Sequence, residues 1–171
     1  GENGFKRLMG NGKIYTQGEF PIATVDRASA TASIATGSTP FYHGIVGQKW
    51  FDLSAMRGVN CVDDRSCKGI GTDTGASPQH LAVSTVSDEL KVATDGKALV
   101  YSIAPFCDAA VLAAGHAADV SVWIDNQTGN WCTSSYYGSL PEWASTRNRD
   151  NSLDKQLRRY KWEPFYQRNG D

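Results

Sequence analysis

Asp26-Arg27-Ala28-Ser29-Ala30-Thr31-Ala32-Ser33-Ile34-Ala35-Thr36-Gly37, followed by Ser38-Thr39-Pro40-Phe41-Tyr42-His43-Gly44-Ile45, is the stretch that decides the fold. After Arg27 it consists almost wholly of Ala, Ser and Thr. Small side chains let a helix lie close against a sheet, and Gly37 supplies a left-handed stop. A loop therefore meets a helix N-terminus just after Asp26. Free backbone N–H groups and the helix dipole at such a point favour an anion.

Outward from that stretch the chain alternates strand and helix signals. Residues 3–11 read as a helix closing on Gly10-Asn11-Gly12, and Lys13-Ile14-Tyr15-Thr16 as a short strand. Residues 54–80 carry Gly, Asp, Ser and Cys without periodicity and read as a long surface loop. Thr85 and Asp88 form a capping box that opens a helix, stopped by Asp95-Gly96. Ala98–Ala104 is a continuous apolar run, the pattern of a strand buried on both faces. Residues 120–125 and 130–137 flank Asn126-Gln127-Thr128-Gly129 as a hairpin. Asn126-Gln127-Thr128 also matches a glycosylation sequon, for which a plain turn asparagine is the simpler reading. Pro141–Arg149 reads as a helix and 150–171 as a polar tail. Strand–helix–strand order gives an α/β class.

Composition narrows the function classes. The 171 residues hold 40% hydrophobic and 20% charged residues, enough apolar surface for one packed domain and too little charge for a disordered chain. The net charge is −1, so there is no basic surplus for a nucleic-acid polymer. No apolar run approaches the roughly 18 residues of a membrane helix. Four cysteines stand at 61, 67, 107 and 132. Cys61-x5-Cys67, across a polar loop, suits a small disulfide loop in an oxidising compartment, with four free thiols as the alternative.

Several ordered motifs resemble the alkaline phosphatase superfamily, in its type I phosphodiesterase/nucleotide pyrophosphatase and phosphate-irrepressible phosphatase branch. They are Ser33-Ile34-Ala35-Thr36-Gly37, Pro40-Phe41-Tyr42-His43-Gly44-Ile45, Gly47-Gln48-Lys49-Trp50-Phe51-Asp52, Thr85–Lys91, Ala114-Gly115-His116 and Trp123–Trp131. The likeness runs from about Phe5 to about Trp143. It implies part of a three-layer α/β/α domain: a core over about 1–52 and 81–118, a loop over about 53–80, and a hairpin-containing cap segment over about 119–171.

The resemblance also implies a site, and here the sequence departs from the pattern. The family's nucleophile is Thr or Ser. Counted back without gaps it falls on Arg27, and with one deletion on Asp26. An arginine stays protonated and cannot be that nucleophile, but its fork binds phosphate well. Asp26 is a candidate metal ligand or phosphoryl acceptor, and Ser29 and Thr31 are the fallback nucleophiles. The family's phosphate-contacting Asn falls at Gln48. The Lys and Arg of its monoesterases fall at Phe106 and Asp108. His116 is a candidate on the substrate side, whereas His43 reads as a structural histidine.

The resemblance implies zinc or other divalent metals in a full-length parent, with the remaining ligands before Gly1 and after Asp171, and none in this chain alone. It implies a small phosphorylated substrate, the remainder of its own domain as partner, and a periplasmic or cell-envelope location. Two readings follow. One is a fragment of a metal-dependent phosphohydrolase; the other is an inactive relative that binds a phosphorylated or anionic ligand.

Overall fold

The computed structural model describes residues 4–19, 22–23, 25–150 and 157–161. In chain order the elements are α1 (Phe5–Asn11), α2 (Arg27–Thr36), α3 (Pro40–His43), β1 (Lys49–Asp52), β2 (Arg57–Asn60) and β3 (Gly69–Ile70). Then come α4 (Val86–Ala93), β4 (Tyr101–Ile103), α5 (Cys107–Ala114), β5 (Val120–Ile124), β6 (Trp131–Ser134), a 3-10 turn (Ser135–Tyr137) and α6 (Glu142–Asp150).

Four strands form one sheet in the order β3-β6-β5-β4. β4 and β5 run parallel, and the other two pairings are antiparallel. β1 and β2 make a separate antiparallel pair. Helix α5 covers β4 and β5, and α2 packs along α5. Their contact is close because α2 turns Ala28, Ser29, Ala32 and Ala35 inward, and α5 presents Ala110, Val111, Leu112 and Ala114. The architecture is mixed α/β, as the alternation of signals requires.

Local chemistry fixes the ends of the key helices. Asp26 accepts from the Ser29 N–H at 2.8 Å, and the Ser29 hydroxyl accepts from the Asp26 N–H at 3.1 Å, a full capping box. Gly37 closes α2 at φ 67°. Thr85 and Asp88 cap α4 in the same way. The Asp88 carboxylate also takes the backbone N–H groups of His116 and Ala117, at 2.8 and 2.7 Å, and so ties the start of α4 to the turn after α5. Burial alone would raise the pKa of Asp88. The hydrogen bonds from Thr85, Ala117 and His116 outweigh burial and hold it below the ordinary value.

Four expectations change. Residues 13–16 form no strand; Ile14 and Tyr15 are exposed and have no strand partner among the described residues. The 54–80 segment is not a plain surface loop. It contains β2 and β3 and buries Val59, Val62, Ala76 and Pro78, because its polar residues serve turns while its few apolar ones reach the core. The 98–104 run supplies only β4, whose Tyr101 and Ile103 are exposed. Among the described residues β4 is the sheet's edge, so the apolar run has no second layer over it here. Cys61 and Cys67 do not pair, and all four cysteines are free. Cys61 is wholly buried with its thiol toward Asn60, whereas Cys67 turns to Asp64. Burial pushes the Cys61 thiol up to about 12. The helix at 142–150 stands as read, and most of the expected tail lies outside the described residues.

Candidate functional site

Three elements converge at one point. Arg27 is the first residue of α2, Gln48 leads into β1, and Asp108 lies in the first turn of α5. The Arg27 guanidinium meets the Asp108 carboxylate as a fork: Nε lies 2.9 Å from Oδ1 and Nη2 lies 3.0 Å from Oδ2. The Gln48 amide Nε2 donates to the same Oδ2 at 2.9 Å, and the Ala109 N–H donates to Oδ1 at 2.9 Å. Phe106, the residue before α5, lays its ring 3.8 Å from the guanidinium carbon of Arg27. The planar fork is therefore held on one face by the ring and on its edge by the carboxylate.

Asp26 sits next to this constellation. Its Oδ1 takes the Ser29 N–H and its Oδ2 takes the Gln48 N–H at 2.6 Å. Burial works to raise its pKa, and these N–H donors outweigh it, leaving the carboxyl below its ordinary value. The same backbone amide that receives Asp26 thus carries the side chain that donates to Asp108. Two carboxylates, two helix N-termini and one guanidinium share the site.

The other expected site residues lie elsewhere or face inward. Ser29 is fully buried and its hydroxyl belongs to the capping box. Thr31 is half-buried on α2, and its side chain makes no hydrogen bond to Arg27, Gln48 or Asp108. His116 turns its ring to Asp88, at 3.2 Å, and to the Leu81 carbonyl, at 3.0 Å. The structure therefore brings together Asp26, Arg27 and Gln48, and adds Asp108 and Phe106. His43 is fully buried, as a structural histidine should be. Its Nδ1 accepts from the Ile45 N–H at 3.1 Å, so Nε2 carries the proton and faces the Ser33 hydroxyl at 3.0 Å.

The Arg27–Asp108 partnership was not read from the sequence. The available signal was a cation where the resemblance puts a neutral Thr or Ser, together with an anion where it puts a cation of the monoesterases.

A two-metal centre does not fit the residues present. Among the described residues no three or more His, Cys, Asp or Glu side chains are placed to hold a metal ion. Asp26 already has an N–H on each oxygen.

Fold and site together define a mixed α/β domain in which a guanidinium, a side-chain amide and the N-termini of two helices gather at the start of α2. The family model for type I phosphodiesterase/nucleotide pyrophosphatase matches residues 1–169, and the chain belongs to that family. It is 35% identical over 170 residues to alkaline phosphatase PhoV of Synechococcus elongatus, covering 97% of this chain and 31% of that protein. It is 34% identical over 156 residues to alkaline phosphatase PafA of Elizabethkingia meningoseptica, covering 88% of this chain and 29% of that one. The crystal structure of wild-type alkaline phosphatase PafA superposes with a TM-score of 0.89 at 32% identity, over 98% of this chain and 33% of that chain. The chain thus spans about a third of the length of these relatives.

Proposed function

We propose that the protein carrying this chain is a non-hydrolysing member of the family, which recognises a phosphorylated or other anionic ligand at the corner formed by Arg27, Gln48 and the start of α2. The observation that carries this reading is Arg27. The first residue of α2 is a permanently protonated guanidinium, already forked onto Asp108. Such a group binds oxyanions and cannot accept a phosphoryl group.

The neighbouring hydroxyls do not replace it. The Ser29 Oγ is buried in a capping box. Each Asp26 oxygen already accepts an N–H bond, which lowers its nucleophilicity toward phosphorus. Zinc or another divalent metal, if the complete protein binds it, would supply Lewis-acid clamping of phosphate oxygens. Asp26 would join such a set only through an oxygen that already accepts an N–H bond. Export to a periplasm or cell envelope is proposed from the family resemblance. No described helix is long and apolar enough to cross a membrane.

Hydrolysis is the second reading, favoured by the relatives' names as alkaline phosphatases. The complete gene product separates the two. It is incubated with zinc and with p-nitrophenyl phosphate or bis(p-nitrophenyl) phosphate. We expect no release of nitrophenol above background, and saturable binding of a nucleoside monophosphate that weakens in Arg27→Ala. Turnover that survives purification to constant specific activity overturns the non-hydrolysing reading.

A further inference from the structure

We propose that Asp108 is a tethered competitor: its carboxylate fills an oxyanion site within the protein, and a free oxyanion binds only by displacing it. This rests on the reading of Arg27 and Gln48 as an anion-binding corner and states how that corner is regulated.

The donor set is the argument. Every polar contact made by the Asp108 side chain is with an N–H donor: Arg27 Nε and Nη2, the Gln48 amide and the Ala109 backbone. A guanidinium fork, a side-chain amide and a backbone amide at a helix start form a set that would hold an exogenous carboxylate or phosphate equally well. Exposure gives the direction of entry. The Asp108 side chain is 6% exposed and that of Arg27 is 40% exposed, so the carboxylate lies on the inner side of the fork and solvent reaches its outer side.

Charge points the same way. With Asp108 in place, its carboxylate offsets the guanidinium. Without it, the guanidinium and the N-termini of two helices, of 10 and 8 residues, lose that balancing charge. Asp26 keeps its own donors, the Ser29 and Gln48 backbone N–H groups, and draws on neither the fork nor the Gln48 side chain. Removing Asp108 therefore frees the fork and the amide without disturbing the capping box. Phe106 keeps the guanidinium plane in position after the exchange.

A tethered carboxylate outcompetes a dilute free one because its local concentration is high. The wild-type protein should bind inorganic phosphate weakly, and Asp108→Ala should bind it at least tenfold more tightly. Titration of the complete gene product with inorganic phosphate, followed calorimetrically, reads this directly. Acetate titrated in parallel separates a preference for phosphate from one for carboxylate. Adding Arg27→Ala to Asp108→Ala should abolish the gain. Asp108→Asn, which keeps the side-chain shape, guards against a folding artefact and should also gain affinity. No gain in either well-folded single variant overturns the proposal. A gain that survives removal of Arg27 overturns it as well. Ester turnover by the wild type would instead remove the non-hydrolysing reading and leave this result to be judged by itself.

Discussion

Arg27 and Asp108 lie 81 residues apart in the chain and meet as a fork and a carboxylate of unequal exposure, 40% for the arginine side chain and 6% for the aspartate. The inequality gives a directional prediction. Arg27→Ala strands a buried carboxylate, at a cost of about 2–3 kcal/mol, below the range for fully buried pairs because the arginine is partly solvated. Asp108→Ala leaves an arginine that can turn to water, at a cost of about 1 kcal/mol. Urea denaturation of the complete gene product measures both. Equal or reversed costs would show that the burial asymmetry does not govern the pair.

His43 should make stability depend on pH in a defined direction. Burial lowers its pKa from 6.5 in the native state, so the unfolded chain binds a proton there that the native chain does not. Stability should therefore fall as pH drops below 6.5 toward the lower native value. His43→Gln should remove that part of the slope in thermal melts recorded across this window. Ser33→Ala, which leaves the Nε2–H without its acceptor, should cost about 1–2 kcal/mol at neutral pH.

Asp64 works at lower pH. The hydroxyls of Ser66 and Ser77 donate to it at 2.6 and 2.5 Å and hold its carboxyl at about 2, against an ordinary 3.8. The stability that it contributes is complete above 3.8 and is lost as pH falls toward 2. Asp64→Asn should destabilise at pH 7 by more than at pH 2.5. A constant difference across that range, read from denaturation midpoints, would show that ionisation of Asp64 plays no part.

Gly115 is a steric keystone. Its φ is +73°, and a Cβ there would run into the Thr85 hydroxyl and the Asp88 carboxylate. Gly115→Ala should cost about 3–5 kcal/mol, through strain and loss of the Asp88 network. Amide exchange should show the start of α4 and the 115–117 turn losing protection together. A variant as stable as the wild type would show that the α4 cap and this turn are independent.

Much of the frame was legible because it depends on near neighbours. Asp26, Ser29 and Gly37 specify the ends of α2 through local hydrogen bonds and one left-handed turn. Thr85 and Asp88 do the same for α4. The hairpin around 126–129 follows from its turn residues. Exposure was less legible. The 98–104 run reads as doubly buried, but it forms a strand at the edge of the described sheet. The 54–80 segment reads as surface, yet it feeds Val59 and Val62 to the core. Whether an apolar side chain is covered depends on layers that a local pattern does not contain.

By itself the sequence determined the α/β class, the family motifs and the start of α2 at Asp26-Arg27. Tertiary structure alone decided that Arg27 faces Asp108 and stacks on Phe106, that Ser29 is sealed inside its cap, that His116 serves Asp88, and that Cys61 and Cys67 remain apart. The physical reason is range. Caps, turns and periodicity act over a few residues, whereas an ion pair across 81 residues exists only once α2 and α5 have packed.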